Sequence, residues 1–153
     1  MALCELKVVR DRFGWDAGDT ATIKEWFRSA PFFWGADAAH RERLTQVAYD
    51  EWSLADFRRR LVLGTALAPD VMLAGEPASL PLDAVEGKQG ARLAAELIEF
   101  TDLLRDWIND AHQPRPLESW CARFSLVVSA LLPELRSYAE ETAKMERALG
   151  SLC

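Results

Sequence analysis

The chain has 153 residues, 50% of them hydrophobic and 27% charged, which is enough apolar material for one well-packed domain and excludes intrinsic disorder. A net charge of −6 argues against a non-specific polyanion binder. The charge is uneven: residues 1–60 carry ten Lys/Arg against ten Asp/Glu and residues 61–153 eight against fourteen, so an anion-facing surface is expected in the first part.

In chain order, Leu3, Leu6 and Val9 start an amphipathic stretch that stops near Gly14. Asp19 or Thr20 can cap a helix carrying Ile23, Trp26 and Phe27, which Pro31 ends. "PFFW" at 31–34 places four bulky residues outside regular structure, as a plug at a helix junction or a contact patch. "GADAAHRERL" suits a short helix capped by Asp37, and Ser53 caps a helix with Leu54, Phe57 and Leu61 at i, i+3 and i+7. Residues 68–90 are rich in proline and glycine and form the one long irregular connection. Beyond it, Leu93, Leu97, Phe100, Leu104, Trp107 and Ala111 make an apolar stripe on a helix of about 20 residues, which "QPRP" breaks. Leu117, Trp120, Cys121, Phe124, Val127, Val128 and Leu131 make a second stripe. Pro133 opens a last helix with Leu135, Tyr138, Thr142, Met145 and Leu149 inward.

Strand signals are scarce, so the expected fold is all-α, a single domain over 1–153 with about six helices bundled together. It comprises N-terminal helices over 1–67, the connection over 68–90 and three long helices over 91–153, which are expected to form the core. Cys4, Cys121 and Cys153 are far apart and unaccompanied by metal-ligand spacing, which reads as free thiols in a reducing cytoplasm. No apolar run reaches membrane-spanning length.

Several patterns suggest chemistry. Asp83, Glu86 and Lys88 in "PLDAVEGK" are similar to the D…E-x-K metal site of nucleases, but they crowd into a loop where that chemistry needs a rigid sheet. "EGKQG" lacks the surrounding glycines and the Ser/Thr of a phosphate-binding loop. Glu96, Glu99, Asp102, Asp106 and Asp110 run down one side of a helix, yet neither His40 nor His112 follows a Glu by three as a di-iron site would require. No catalytic, cofactor or metal residue is therefore assigned. Most of the six tryptophans fall on apolar stripes, where core or interface is the default over base stacking.

Basic residues offer the remaining candidates. Arg41 and Arg43, beside His40 in "AAHRERL", can touch phosphate or lie on plain surface. Arg58, Arg59 and Arg60 in "DFRRRLVLG" are either the solvated rim of a helix that dives inward or contacts for a DNA phosphate or a neighbouring subunit. On a helical wheel Arg59 points away from the Leu54/Phe57/Leu61 face, with Arg58 and Arg60 flanking it.

Four segments together resemble a known family. "RDRFGWDAGDTATIKEWFRSAPFFWGADAAHRERL", "WSLADFRRRLVLGTAL", "SLPLDAVEG" and "QPRPLESW" follow one another in the order and at about the distances seen in the gamma chain of exodeoxyribonuclease V, the RecC subunit of the RecBCD helicase–nuclease. Leu82 stands where that family usually has Tyr, and "GTALAP" replaces "GYAM". The resemblance implies an internal fragment of a much longer chain, similar to the helical subdomain inserted in the second motor-like domain of a helicase. It further implies a non-catalytic scaffold in double-strand-break repair and recombination, with strand separation, 3′-strand guidance and Chi sensing belonging to the parent subunit. The implied partners are the beta (RecB-like) and alpha (RecD-like) subunits and double- and single-stranded DNA, with ATP and Mg bound by those other subunits. The alternative is a free-standing helical adaptor without a DNA role, suggested by the acidic second half and "PFFW".

Overall fold

The computed structural model describes residues 2–67, 71, 81–82, 85, 87–132 and 138–151. Among them are eight helices and no strand: α1 (Ala2–Glu5), α2 (Lys7–Phe13), α3 (Ala17–Ser29), α4 (Ala38–Thr45), α5 (Leu54–Gly64), α6 (Gly87–Ala111), α7 (Leu117–Leu131) and α8 (Ala139–Gly150). The fold is all-α. No helix among the described residues is long and apolar enough to cross a membrane. The chain divides into two compact units, a central one over Ala21–Asn109 and a terminal one made of Met1–Thr20 with Asp110–Cys153.

Helix boundaries follow local chemistry. The Asp37 carboxylate accepts the His40 N–H at 2.8 Å and starts α4; the Ser53 hydroxyl accepts the Asp56 N–H at 3.1 Å and starts α5. The cap of α3 is Asp16 rather than Asp19 or Thr20. Asp16 Oδ1 accepts the Asp19 N–H at 2.8 Å while Asp19 Oδ2 reaches back to the Asp16 N–H at 3.4 Å, a reciprocal pair that begins the helix one turn earlier. Gly14 ends α2 at φ +69°, where a side chain would be strained.

In the central unit Ile23, Trp26, Phe57, Leu61, Leu93, Ala94, Leu97 and Phe100 are 2% exposed or less. Phe27 and Phe57 stack with centroids 4.4 Å apart and planes 9° from parallel. Gly64 lets α5 receive another segment. A Cβ there would lie 2.4 Å from the Leu82 carbonyl oxygen, and the Leu82 N–H donates to the Arg60 carbonyl at 2.9 Å. Leu82 of the Pro/Gly-rich connection is thereby seated on the helix that carries the arginines.

The terminal unit buries Cys4, Val9, Phe13, Trp15, Asp19, Thr20 and Cys121. The Phe13 and Trp15 rings stack at 4.9 Å. Burial pushes the Cys4 thiol up to about 11. Cys121 is disulfide-bonded, which corrects the expectation of three free thiols. The expectation that the last three helices form the core is also corrected. α7 buries only Cys121 and leaves Leu117 59% and Phe124 43% exposed, and α8 buries no residue. Only α6, through Leu93 to Thr101, contributes as expected.

Polar ties also hold this unit. Lys7 Nζ lies 2.5 Å from Asp11 Oδ2, to which the Tyr138 hydroxyl donates at 2.7 Å. Arg12 Nε donates to the Ala130 carbonyl at 3.0 Å. Asp110 takes Arg115, and its Oδ2 lies 2.5 Å from Arg123 Nε.

Candidate functional site

The arginine run sits on the second turn of α5, and the residues before it build a dense polar platform. The Ser53 hydroxyl, already accepting from the Asp56 N–H, donates to Asp50 Oδ1 at 2.9 Å. Asp56 Oδ2 in turn accepts the Trp52 N–H at 3.0 Å. These contacts bring the Asp50 and Asp56 carboxylates together at the positive end of the α5 dipole, a favourable place for anions.

Arg59 answers them. Its guanidinium pairs with Asp50 and, through Nη1, with Asp56 Oδ1 at 3.3 Å. Rather than projecting straight into solvent as the helical wheel implies, its side chain is 32% exposed. Arg58 meets Asp102 of α6, with Nη2 donating to Oδ2 at 3.0 Å. Nε lies 2.7 Å from Oδ1, too far off the N–H direction for a second hydrogen bond but well placed for Coulomb attraction. Arg105 Nη2 also lies 3.3 Å from Asp102 Oδ1 as an ion pair without a hydrogen bond. Arg60 is half-buried, and its carbonyl holds Leu82.

The arginine run and the carboxylate run of α6, two separate puzzles in the sequence, thus partly answer each other. Glu96 is similarly held by Arg92 at 2.6 Å, and Asp106 lies 3.5 Å from Arg105. Among the described residues no group of three or more His, Cys, Asp or Glu is placed to hold a metal ion. Asp83 and Glu86 of the nuclease-like pattern lie outside the described residues, and Lys88 is exposed near the start of α6.

Arg41 and Arg43 are two positions apart on α4 and have different fates. Arg41 is 1% exposed. Its Nη2 and Nε donate to the Trp34 carbonyl at 2.7 and 3.2 Å, and Nη1 donates to the carbonyls of Glu51 at 2.7 Å and Tyr49 at 3.1 Å. The guanidinium also lies over the rings of Tyr49, 4.1 Å from its centroid, and Trp34, 5.0 Å away. Gly35, at φ +84°, is required beside it because a Cβ would come within 2.8 Å of Arg41 Nε. Arg41 therefore clamps the chain on both sides of α4, with its N–H groups directed at carbonyls of its own fold. His40 is buried too, with Nδ1 3.4 Å from the Ala36 N–H. Arg43 is exposed and donates to Asn109 Oδ1 at 3.1 Å; Asn109 Nδ2 passes the contact on to Asp37 Oδ2 at 3.3 Å.

Asp50, Asp56 and Trp52 were not singled out as site residues by sequence reasoning, and Asp102 stood out only as one of a carboxylate run, although all four define this region. The available signal was local: Asp50 and Asp56 lie three residues either side of a capping serine, where carboxylates readily engage a helix end. Asp102 gave no such signal, because its partner lies 44 positions away.

Two comparisons with known proteins bear on the whole chain. The family model described as the RecBCD enzyme subunit RecC fourth domain matches residues 1–153. A RecBCD enzyme subunit RecC from Mycobacterium tuberculosis (strain CDC 1551 / Oshkosh) is 34% identical over 120 residues, covering 77% of this chain and 11% of that protein. The protein of the same name from Mycolicibacterium smegmatis (strain ATCC 700084 / mc(2)155) is 30% identical over 130 residues, covering 84% of this chain and 12% of its own length. The chain thus spans only about an eighth or less of the curated relatives it matches.

Proposed function

Since this chain belongs to the RecC fourth-domain family, we propose that it works as a non-catalytic helical part of a RecC-like gamma chain within a cytoplasmic complex of the exodeoxyribonuclease V type. The family match over residues 1–153 carries this reading and disfavours the free-standing adaptor. In that assembly a RecB-like beta and a RecD-like alpha subunit bind ATP and Mg and perform the chemistry. The gamma chain supports strand separation, 3′-strand guidance and Chi sensing on broken DNA. The helices are proposed to correspond to the helical subdomain of the second motor-like domain.

For the basic residues, the pairing of Arg58 with Asp102 and of Arg59 with Asp50 and Asp56 supports a role in holding α5 to its surroundings. A phosphate would have to displace carboxylates already in contact. Contact with DNA or a subunit is the competing role for Arg58, Arg59, Arg60 and Arg43, and exposure favours Arg43 among them; burial of Arg41, with its N–H groups turned to its own fold, speaks against that role there.

The test is to purify the complex through a tag on this chain and measure binding to duplex ends across salt, with and without Arg59→Ala. Co-purification of RecB-like and RecD-like subunits supports the assembly; their absence overturns it. With Arg59 structural, the slope of log K against log[salt] stays unchanged. A loss of about one unit from that slope would make Arg59 a phosphate contact.

A further inference from the structure

The segment around α4 presents an aromatic face that the proposed function leaves unused. Phe33 is 67% exposed, Trp52 49% and Trp34 36%. The Phe33 and Trp52 rings meet edge to face, their centroids 5.9 Å apart and their planes at 61°. Leu44 and Val47 of the same segment are 57% and 55% exposed. Isolated apolar residues are ordinary on a surface, but large aromatics in contact with one another there are characteristic of interaction sites.

This pair is also held in place. Trp52 has φ +58°, a conformation unfavourable for a bulky side chain. Its N–H is bound by Asp56 Oδ2, and its carbonyl accepts the Phe33 N–H at 3.1 Å. The carbonyl just before it, that of Glu51, is gripped by the buried Arg41, as is that of Trp34 just after Phe33. One guanidinium thus fixes the backbone beside both exposed rings. The indole is held out by the fold rather than left to settle on the surface, as preorganised contact residues are.

Charge decides the kind of occupant. Within residues 31–53 the exposed charged residues are Glu42, Arg43 and Glu51. Arg41 is buried, and Arg59 is engaged by Asp50 and Asp56. Single-stranded nucleic acid is bound by aromatics set in a cationic groove that follows the phosphates. Here the aromatics sit in a segment with an acidic surplus. An aromatic centre with charged residues outside it is the composition of a protein–protein contact.

We propose that Phe33, Trp34 and Trp52 form a docking face for a protein partner presenting an apolar side chain flanked by lysine or arginine. The apolar group packs on Phe33 and Trp52, and the cation meets Glu51 and the electron-rich face of the Trp52 indole. This goes beyond the proposed assembly and does not depend on which complex the chain enters.

The test places the photo-crosslinker p-benzoylphenylalanine at Phe33, an exposed position that tolerates it, in the chain within its native complex. Adducts are then mapped by mass spectrometry after irradiation. The expected result is an adduct on a polypeptide segment with Lys or Arg within a few residues of an apolar contact, its yield falling about tenfold with Trp52→Ala or Glu51→Lys. Glu51→Lys is the variant to rely on if Trp52→Ala disturbs the loop, because Glu51 is exposed. An adduct on a protein foreign to an exodeoxyribonuclease V-type complex, with the same charge dependence, upholds the docking face, while the proposed assembly stands or falls separately on co-purification of its subunits. Adducts only on DNA, only on a second copy of this chain, or none at all overturn the proposal, as does a yield indifferent to Glu51→Lys.

Discussion

The central and terminal units show the same helical periodicity and stabilise it differently. Ile23, Trp26, Phe57, Leu61, Leu93 and Leu97 disappear completely from solvent in the central unit, whereas the equally regular stripe of α7 keeps Leu117 and Phe124 substantially in contact with water. The terminal unit has fewer fully buried apolar side chains and is also tied by charged and polar contacts such as Lys7–Asp11–Tyr138 and Asp110 with its two arginines. An amphipathic stripe reports that a helix is able to be buried. Whether it is buried depends on what the rest of the chain brings to it.

Truncating the two kinds of stripe gives the largest contrast. Trp26→Ala removes a fully buried indole and is expected to cost about 3–5 kcal/mol, whereas Phe124→Ala, at a 43% exposed position, costs about 1 kcal/mol or less in the same urea titration. Equal costs would break the comparison. Arg41→Ala comes next within the central unit. It strips the Trp34, Tyr49 and Glu51 carbonyls of their donor, at about 1–3 kcal/mol for each group left unsatisfied and less than additively. Arg41→Lys recovers little, since one ammonium cannot replace a planar fork serving three carbonyls. Denaturant midpoints for the pair measure both effects.

Glycines sharpen the contrast at smaller scale. Gly64→Ala drives a Cβ against the Leu82 carbonyl oxygen and is expected to cost about 1–3 kcal/mol, with faster exchange of the Leu82 amide proton. Gly150→Ala meets nothing within 4 Å at the end of α8 and is expected to be neutral or stabilising by a few tenths of a kcal/mol.

The smallest effect is one of pH, and it belongs to the terminal unit. Hydrogen bonds from Lys7 and then Tyr138 hold the Asp11 carboxyl below its ordinary 3.8, so that contribution is present above 3.8 and fades as the pH falls toward the lowered value. Hydrogen bonding to Asp11 raises Lys7 and Tyr138 above their ordinary 10.5 and 10.0, so their contributions are present below those values and fade as the pH climbs through the raised ones. Thermal melts should soften slightly at both extremes. Tyr138→Phe should blunt both edges, while solvent screening keeps the change small.

What the sequence made legible was local. Asp37 and Ser53 could be named as caps because a capping residue acts within three positions of itself. Asp16 escaped notice because Asp19 is equally good capping chemistry and the two act reciprocally. The buried Leu54/Phe57/Leu61 face of α5 was readable, but the expected inward plunge after the arginines is corrected, because Val62 is 39% exposed and Ala66 is exposed beyond it. Partners far along the chain were not. Nothing near Arg58 announces Asp102, and nothing in "AAHRERL" announces that Arg41 is internal. The nearest hint was Gly35, a residue without a side chain next to bulky aromatics, where another group must come close.

The wiring of the terminal unit also bears on the order in which the molecule assembles. Its ties join positions far apart: Arg12 reaches Ala130 across 118 residues, and Asp11 meets Tyr138 across 127. The clamp around Arg41 spans 7 to 10 residues, and Arg58 meets Asp102 across 44. Loop closure taxes the longest connections most, and contacts between near neighbours form soonest. The central unit should therefore acquire protection first, with the two ends of the chain joining only once the intervening 89 residues of that unit have drawn them together. Pulse-labelled hydrogen exchange should find amides of α5 and α6 protected before those of α2 and α8.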